Sequence, residues 1–256
     1  MFDAPPASVN PPMPFESTIA VWWQRQRVRL PWPDRLSLAL LPPRCSSCGE
    51  QAAPLAVDLC DICLESLPFR PLPSLEVPGV GAHACCVPLR YAEPVAGLIR
   101  GLKFSGRWQY ARVLGALLAA TRAAAGTPLP QALVPLPLHP ARYRERGFNQ
   151  AELLARSAGR WLGLPIHAQA LVRVRATLPQ TLLSAADRRR NLHGAFELLD
   201  HWPEGAALPR HVALVDDVVT TGATLADAVR AVRRCGVQTV EVWAVARAET
   251  PASASP

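Results

Sequence analysis

The sequence lacks an apolar run long enough to cross a membrane. Its longest candidate, residues 113–120, is far shorter than the roughly 20 residues that a membrane-spanning helix needs. Residues 1–16 contain no Lys or Arg and are interrupted by prolines. They therefore do not have the basic and apolar regions of a secretory signal peptide. We predict a cytoplasmic protein that does not insert into a membrane.

Lysine is also nearly absent. The 256 residues include 26 Arg but only one Lys, Lys103, and the formal net charge is +7. The many Ala, Pro and Arg residues indicate a compositional drift, so the positive charge alone is weak evidence for nucleic-acid binding. Against that background, Lys103 is a candidate for a position that needs a compact ammonium charge. Chance retention is the alternative.

Cysteine is uncommon but clustered. Four of the seven cysteines form two Cys-x-x-Cys pairs that are separated by eleven residues, Cys45–Cys48 and Cys60–Cys63. Four thiolates in this pattern are typical of a closed, structural Zn²⁺ site. A redox dithiol is the competing interpretation. The other three cysteines, Cys85, Cys86 and Cys235, are predicted to be buried thiols rather than metal ligands.

Strand-like and helix-like segments alternate after residue 84. Apolar runs predict strands at 84–91, 132–136, 171–174, 195–199, 212–215 and 239–246, and periodic segments predict helices at 93–103, 108–125, 151–162 and 223–234. This alternation is typical of an α/β fold with a mainly parallel, doubly wound sheet. We expect an N-terminal extension over 1–34, a zinc-binding module over 35–80, an α/β domain over 81–248 and a flexible tail over 249–256.

The segment 211–225 is the strongest candidate for a ligand site. An apolar strand leads into Asp216 and Asp217, then into a Thr/Gly-rich turn, then into a helix. Backbone N–H groups, hydroxyls and a helix N-terminus suit a phosphate monoester, and adjacent carboxylates suit ribose hydroxyls. Successive strand side chains face opposite ways, so the two aspartates should have different roles. The alternative is an ordinary strand end followed by a helix cap.

Two basic segments are candidates for binding a diphosphate group, whose negative charge requires cations. Residues 133–150 and residues 172–191 each join a strand-like run to several arginines. We expect both to follow strands of the sheet that also carries Asp216. Taken one by one, these arginines are equally well explained as solvated surface charges. His139 is interpreted as a turn residue, with a diphosphate contact as the alternative. The candidates are Lys103, Arg142, Arg146, Arg173, Arg175 and Arg188.

The 211–225 segment resembles the 5-phosphoribosyl 1-diphosphate (PRPP) motif of type I phosphoribosyltransferases. With further segments, the chain is similar to the ComF/GntX family of phosphoribosyltransferase-like proteins linked to DNA uptake in natural competence. The matching pieces include the four clustered cysteines, Leu102-Lys-Phe-Ser-Gly106, Val134-Pro-Leu-Pro-Leu138, Arg146-Gly-Phe-Asn-Gln150, Arg173-Val-Arg-Ala-Thr-Leu-Pro-Gln180 and Val215-Asp-Asp-Val-Val-Thr-Thr-Gly-Ala-Thr224.

This resemblance implies a type I phosphoribosyltransferase fold preceded by a small zinc module. It further implies binding of PRPP with Mg²⁺ through Asp216, Asp217, Thr220, Thr221, Gly222, Ala223 and Thr224. Two functions follow from it: a PRPP-binding protein of DNA uptake with single-stranded DNA and a helicase as partners, or an active phosphoribosyltransferase. Only Cys85 and Cys86 stand where many members carry another cysteine pair, so a second zinc site is not expected.

Overall fold

The computed structural model describes residues 44–52, 58–70, 79–173, 195–199 and 207–248. The predicted extension 1–34, the predicted tail 249–256 and the candidates Arg175 and Arg188 lie outside these residues. In chain order the elements are α1 (Asp61–Glu65), β1 (Ala84–Cys86), β2 (Leu89–Arg90), α2 (Val95–Phe104), α3 (Gln109–Ala124), β3 (Ala132–Pro135), α4 (Pro140–Arg146), α5 (Gln150–Leu162), β4 (Leu171–Arg173), β5 (Phe196–Leu198), β6 (His211–Val219), α6 (Ala223–Arg234) and β7 (Thr239–Arg247).

The main sheet is parallel, which confirms the predicted α/β class. Its strand order is β1–β7–β6–β3, and β2 pairs with the same edge of β7 as β1 does. Strands β1 and β2 together correspond to the single strand predicted at 84–91. They are separated at Pro88, which has no N–H to donate to a neighbouring strand. The carbonyl of Pro88 instead accepts a hydrogen bond from the N–H of Arg70.

Helices cover both faces of this sheet. Alternate residues of β6 point to opposite sides, so Val215 belongs to one apolar cluster with Leu114 and Leu117 of α3, whereas Leu214 belongs to another with Val229 of α6. The cysteine-bearing segment contributes to the α3 side, because Cys45, Leu59 and Leu67 belong to the same apolar cluster. Among the described residues, no helix is both long and apolar enough to span a bilayer.

The long predicted helices are confirmed nearly to the residue. Helix α5 begins at Asn149, whose side-chain oxygen accepts a hydrogen bond from the N–H of Ala151 at 3.0 Å, and ends at Gly163 in the left-handed conformation. Glu152, three residues after Asn149, accepts a hydrogen bond from Arg156 one turn later, at 2.7 Å.

Four expectations about local structure were wrong. Strands β4 and β5 pair antiparallel in a separate two-stranded sheet, so the second basic segment does not follow a strand of the main sheet. Strand β6 continues through the acid pair to Val219 instead of ending at Val215. The 140–146 segment is a helix, α4, whose N-cap is His139. Cys235 is exposed, because it lies beyond the last turn of α6, whereas Cys85 and Cys86 are buried as predicted.

Candidate metal-binding and ligand-binding sites

The four clustered cysteines converge as their spacing predicts. The sulfur atoms of Cys45, Cys48, Cys60 and Cys63 all lie within 4.8 Å of one another. Cys48 Sγ and Cys60 Sγ are 3.7 Å apart. A tetrahedral zinc site with Zn–S bonds of about 2.3 Å requires sulfur separations of about 3.8 Å. The geometry therefore fits four thiolates around one metal ion such as zinc.

Local backbone structure shapes each half of this cluster. In the first pair, Gly49 adopts a φ of 82°, and its N–H donates to the carbonyl of Cys45 at 2.8 Å, closing a tight turn. In the second pair, Cys60 is the N-cap of α1 and Cys63 lies within its first turns. The short helix thereby directs both thiols to the same side.

The clustered cysteines differ in the pKa of their thiols. Burial raises the pKa of Cys45, but the backbone N–H groups of Cys48, Cys60 and Ser47 outweigh that effect and lower it to about 6. Burial raises the pKa of Cys63 to about 12. Backbone donors that stabilise one thiolate favour metal ligation, since the thiolate is the form that binds a metal.

The second site is the cleft between β6 and α6. It is lined by Asp216, Val218, Val219, the loop Thr220–Thr224 and Leu225. Gly222 has a φ of 75°, a conformation that favours glycine, and it turns the chain from the strand into α6. The cleft therefore joins a carboxylate, two exposed threonines and the N-terminus of a helix.

Asp217 lies outside this cleft and is bound by protein groups on the opposite side of the strand. The ammonium group of Lys103, at the end of α2, forms an ion pair with Asp217 Oδ2. Gln150 Nε2 donates to Asp217 Oδ1 at 3.3 Å, and Arg146 donates to Gln150 Oε1 at 2.5 Å. Asp217 is only 4% exposed. It therefore ties α2, α5 and the end of α4 to β6.

Asp216 is placed differently: the ion pair of Lys103 is formed with Asp217, and the ammonium charge only partly offsets the influences that raise the pKa of Asp216. Its Oδ1 accepts a hydrogen bond from the N–H of Asp217 at 2.8 Å. Burial, followed by the negative charge of Asp217, raises the pKa of Asp216 well above its ordinary value. A buried carboxyl next to a like charge gains most from a cation or a hydrogen-bond donor that arrives with a ligand.

The charge of one predicted basic candidate, Arg142, acts on two others, Arg146 and Arg173. Burial lowers the pKa of both Arg146 and Arg173, and the positive charge of Arg142 lowers each of them further. Arg142 and Arg146 belong to α4, which follows β3, whereas Arg173 ends β4. Like charges that repel one another in this way form a favourable environment for an anion.

The contacts of some residues at these sites were not predicted from the sequence. Lys103 was a candidate for binding diphosphate, and the resemblance included Gln150 without a role; the structure places both against Asp217. Phe104 lay within a matching segment but had no role assigned to it, and Trp108 was not singled out. The one available signal for Phe104 was its position beside the only lysine of the chain.

No protein-family model matches the chain. It is 39% identical over 210 residues to Competence protein F of Haemophilus influenzae, an alignment that covers 80% of this chain and 85% of that protein. The chain belongs to the ComF family.

Two other relatives support this membership. DNA utilization protein YhgH of Escherichia coli K12 is 42% identical over 161 residues, which covers 61% of the chain and 69% of the relative. Competence protein ComFC of Streptococcus pneumoniae is 30% identical over 115 residues, which covers 44% and 47%.

Proposed function

We propose that this ComF-family protein binds PRPP in the cleft between β6 and α6 and takes part in DNA uptake during natural transformation. The observation that carries the PRPP proposal is the cleft itself. One carboxylate, Asp216, lies beside a Thr/Gly loop and a helix N-terminus at the carboxyl end of the parallel sheet. This is where open α/β sheets bind ligands.

Each part of PRPP has a chemical counterpart there. The N–H groups of the first turn of α6 and the hydroxyls of Thr220 and Thr221 suit the 5-phosphate. Asp216 suits the ribose hydroxyls as a hydrogen-bond acceptor. Arg142, together with Arg146 and Arg173 on which its charge acts, suits the diphosphate.

The donor set also fits a hard cation. Magnesium prefers oxygen ligands and is usually bound through one or two carboxylates together with substrate phosphates. Asp216 supplies a carboxylate whose pKa is raised by burial and by Asp217, so a cation relieves an unfavourable charge there. When bound, Mg²⁺ would neutralise part of the diphosphate charge.

The cysteine cluster is proposed to hold a structural zinc ion. Four thiolates leave no open coordination position, which argues against a catalytic metal. Cys45 also packs into the core on the α3 side of the sheet. Asp58, just before the second cysteine pair, binds Arg112 of α3 at 3.0 Å. Zinc would thereby fix the orientation of this segment against the main domain, which we place in the cytoplasm.

The cellular role rests on the relatives. Two are named competence proteins and one is named a DNA utilization protein. We propose that this chain serves the same process, with single-stranded DNA and a DNA-uptake helicase as partners. PRPP would then act as a bound effector.

The second candidate function is an active phosphoribosyltransferase. It would transfer ribose 5-phosphate from PRPP to a base or an amine and release diphosphate. The action of the Arg142 charge on both Arg146 and Arg173 favours it, because cations near a departing diphosphate stabilise charge that develops in the transition state. In that case Asp216 would orient the ribose for attack at its C1 atom.

Calorimetric titration of PRPP with Mg²⁺ tests the site. We expect Asp216→Asn to weaken binding about ten- to a hundredfold, because hydrogen bonds to a charged group contribute about 1.5–3 kcal/mol. Glu152→Gln is the matched control, since it removes a carboxylate of α5 that binds Arg156. Equal affinities of wild type and Asp216→Asn would contradict the proposed site.

A turnover assay separates the two functions. Diphosphate release would be measured with PRPP, Mg²⁺ and a panel of nucleobases and amines. Release that requires both an acceptor and Asp216 establishes the transferase. PRPP binding without release supports the effector role.

A further inference from the structure

Aromatic side chains are exposed next to arginines at the C-terminal end of α2. Phe104, the last residue of this helix, is 71% exposed, and Trp108, just before α3, is 61% exposed. We define the aromatic–arginine surface by the residues Phe104, Arg107, Trp108, Arg146 and Phe148. It combines two segments that are nearly 40 residues apart in the chain.

Direct contacts hold the two segments together. The guanidinium carbon of Arg146 lies over the ring of Phe104, 5.3 Å from its centroid. The rings of Trp108 and Phe148 meet edge to face, with centroids 6.1 Å apart and an interplanar angle of 69°. These contacts order the aromatic rings while most of the Phe104 and Trp108 side chains still face solvent.

Such exposure is unfavourable for the isolated protein. Burying a side chain of this kind contributes about 1.5–3 kcal/mol, and other large apolar residues, such as Trp243, are completely buried. Two neighbouring aromatic residues left outside the core therefore indicate an interaction surface.

The charge around these rings identifies the kind of partner. Segments 104–108 and 139–148 carry Arg107, Arg142, Arg144 and Arg146 but only one carboxylate, Glu145. Arg107, Arg142 and Arg144 are exposed. Aromatic faces for stacking, interleaved with guanidinium groups, match the bases and phosphates of a single strand. A duplex would keep its bases stacked on one another and leave the aromatic residues without a partner.

We infer that the aromatic–arginine surface binds single-stranded DNA, with bases stacked on Phe104 and Trp108 and phosphates held by the surrounding arginines. The inference deepens the proposed role in DNA uptake by assigning the surface. It rests on that role only for the choice of DNA as the single-stranded nucleic acid, and it does not require PRPP binding.

The test is fluorescence anisotropy of the full chain with a labelled oligothymidylate and with an abasic strand of equal length. Wild type should prefer the strand that has bases. Phe104→Ala and Trp108→Ala should each weaken oligothymidylate binding about tenfold and reduce that preference, because stacking accounts for about 1–3 kcal/mol per base. Arg144→Ala should lower the salt dependence by about one phosphate contact and keep the preference.

Ile62→Ala is the matched control. Ile62 is 78% exposed on α1, between the second pair of cysteines, so it reports on the zinc module instead. Loss of DNA binding in Ile62→Ala with none in the aromatic variants would overturn the inference. So would equal affinities for the two strands. We expect Trp108→Ala to unfold in urea at the same midpoint concentration as wild type. If its midpoint is lower, the anisotropy measurement is repeated at a temperature where the variant is folded.

The free-base acceptor of a transferase is the competing occupant. If Trp108→Ala abolishes acceptor-dependent diphosphate release while binding oligothymidylate normally, the surface is an acceptor platform and the inference is wrong. Failure of wild type to bind PRPP would contradict the proposed ligand site but would leave the DNA result standing, so the two proposals can fail separately.

Discussion

Lys103 forms an ion pair with Asp217, while the neighbouring Asp216 lines the ligand cleft. The two aspartates are adjacent in β6, so their side chains project to opposite sides of the strand. One is thereby held by the protein, and the other is left to face a ligand. The expected difference in their roles thus follows from the side that each faces: Asp217 pairs with Lys103, and Asp216 lines the cleft.

The ion pair should be important for stability. In Lys103→Met the carboxylate of Asp217, which is 4% exposed, loses its cation. An uncompensated buried charge is costly, and we expect the free energy of unfolding to fall by about 2–4 kcal/mol in urea denaturation. The double variant Lys103→Met/Asp217→Leu should recover part of this loss, because neither charge is then left unpaired. No recovery in the double variant would contradict this explanation.

Zinc should depend on all four clustered cysteines. Cys48→Ser should lower the metal content from about one ion per chain to near zero, measured by elemental mass spectrometry, and should lower the thermal midpoint. Cys235→Ser, at the exposed end of α6, is the control and should keep the full metal content. Full zinc occupancy in Cys48→Ser would show that this thiol is not a ligand.

A buried ionic cluster should make the protein sensitive to acid. Arg122 binds both carboxylate oxygens of Glu241 at 2.8 Å, and Trp243 donates to the same carboxylate at 2.7 Å. Burial acts to raise the pKa of Glu241, but the hydrogen bonds from Arg122 and Trp243 outweigh it and lower the pKa. A lowered folded-state pKa stabilises the protein above the unfolded-state pKa of about 4.3, and this stabilisation is lost as pH falls through the folded-state value.

The variant Glu241→Gln tests this cluster. At neutral pH it should reduce the free energy of unfolding by about 3–5 kcal/mol, because the buried Arg122 loses the negative charge that neutralises it and keeps only uncharged acceptors such as the carbonyls of Thr127 and Pro128. The difference from wild type should shrink as the pH drops below about 4. Glu197→Gln, at an exposed position of β5, should behave like wild type. A constant difference at every pH would contradict the assignment.

Close packing of α3 against α5 should make Gly115 irreplaceable. A Cβ atom there would lie 2.5 Å from Ser157 Cβ and 2.8 Å from the carbonyl oxygen of Leu154. Gly115→Ala should therefore destabilise the protein by about 1–3 kcal/mol. At Gly97 the obstructing atom is the carboxylate end of Glu93, a flexible side chain, so Gly97→Ala should cost less. Equal losses of stability in the two variants would show that the helix contact is not tight.

Local sequence was enough for the elements that have strong periodicity and clear ends. The bounds predicted for α6 match those observed, and α5 was predicted to within one residue. Helix caps and apolar periodicity are local properties, so they can be read along the chain. The cysteine cluster was also predictable, because its two pairs lie close in sequence and have few ways to meet.

Partner strands and long-range contacts were decided only by the tertiary structure. Strands β4 and β5 are short and apolar, and nothing within them specifies that they pair with each other rather than with the main sheet. The length of β6 beyond Val215 is likewise set by its neighbour β7, whose residues pair with it as far as Val219.

The sequence by itself determined the chemistry available to this protein: one lysine, an acid pair, a Thr/Gly loop, four clustered cysteines and many arginines. Only the tertiary structure decided which of these groups pair with one another and which stay exposed. It brings Lys103 to Asp217 across more than 100 residues, and it leaves Phe104 and Trp108 exposed beside Arg146. Which side chains meet depends on how helices pack across a sheet, and that packing is a property of the whole chain.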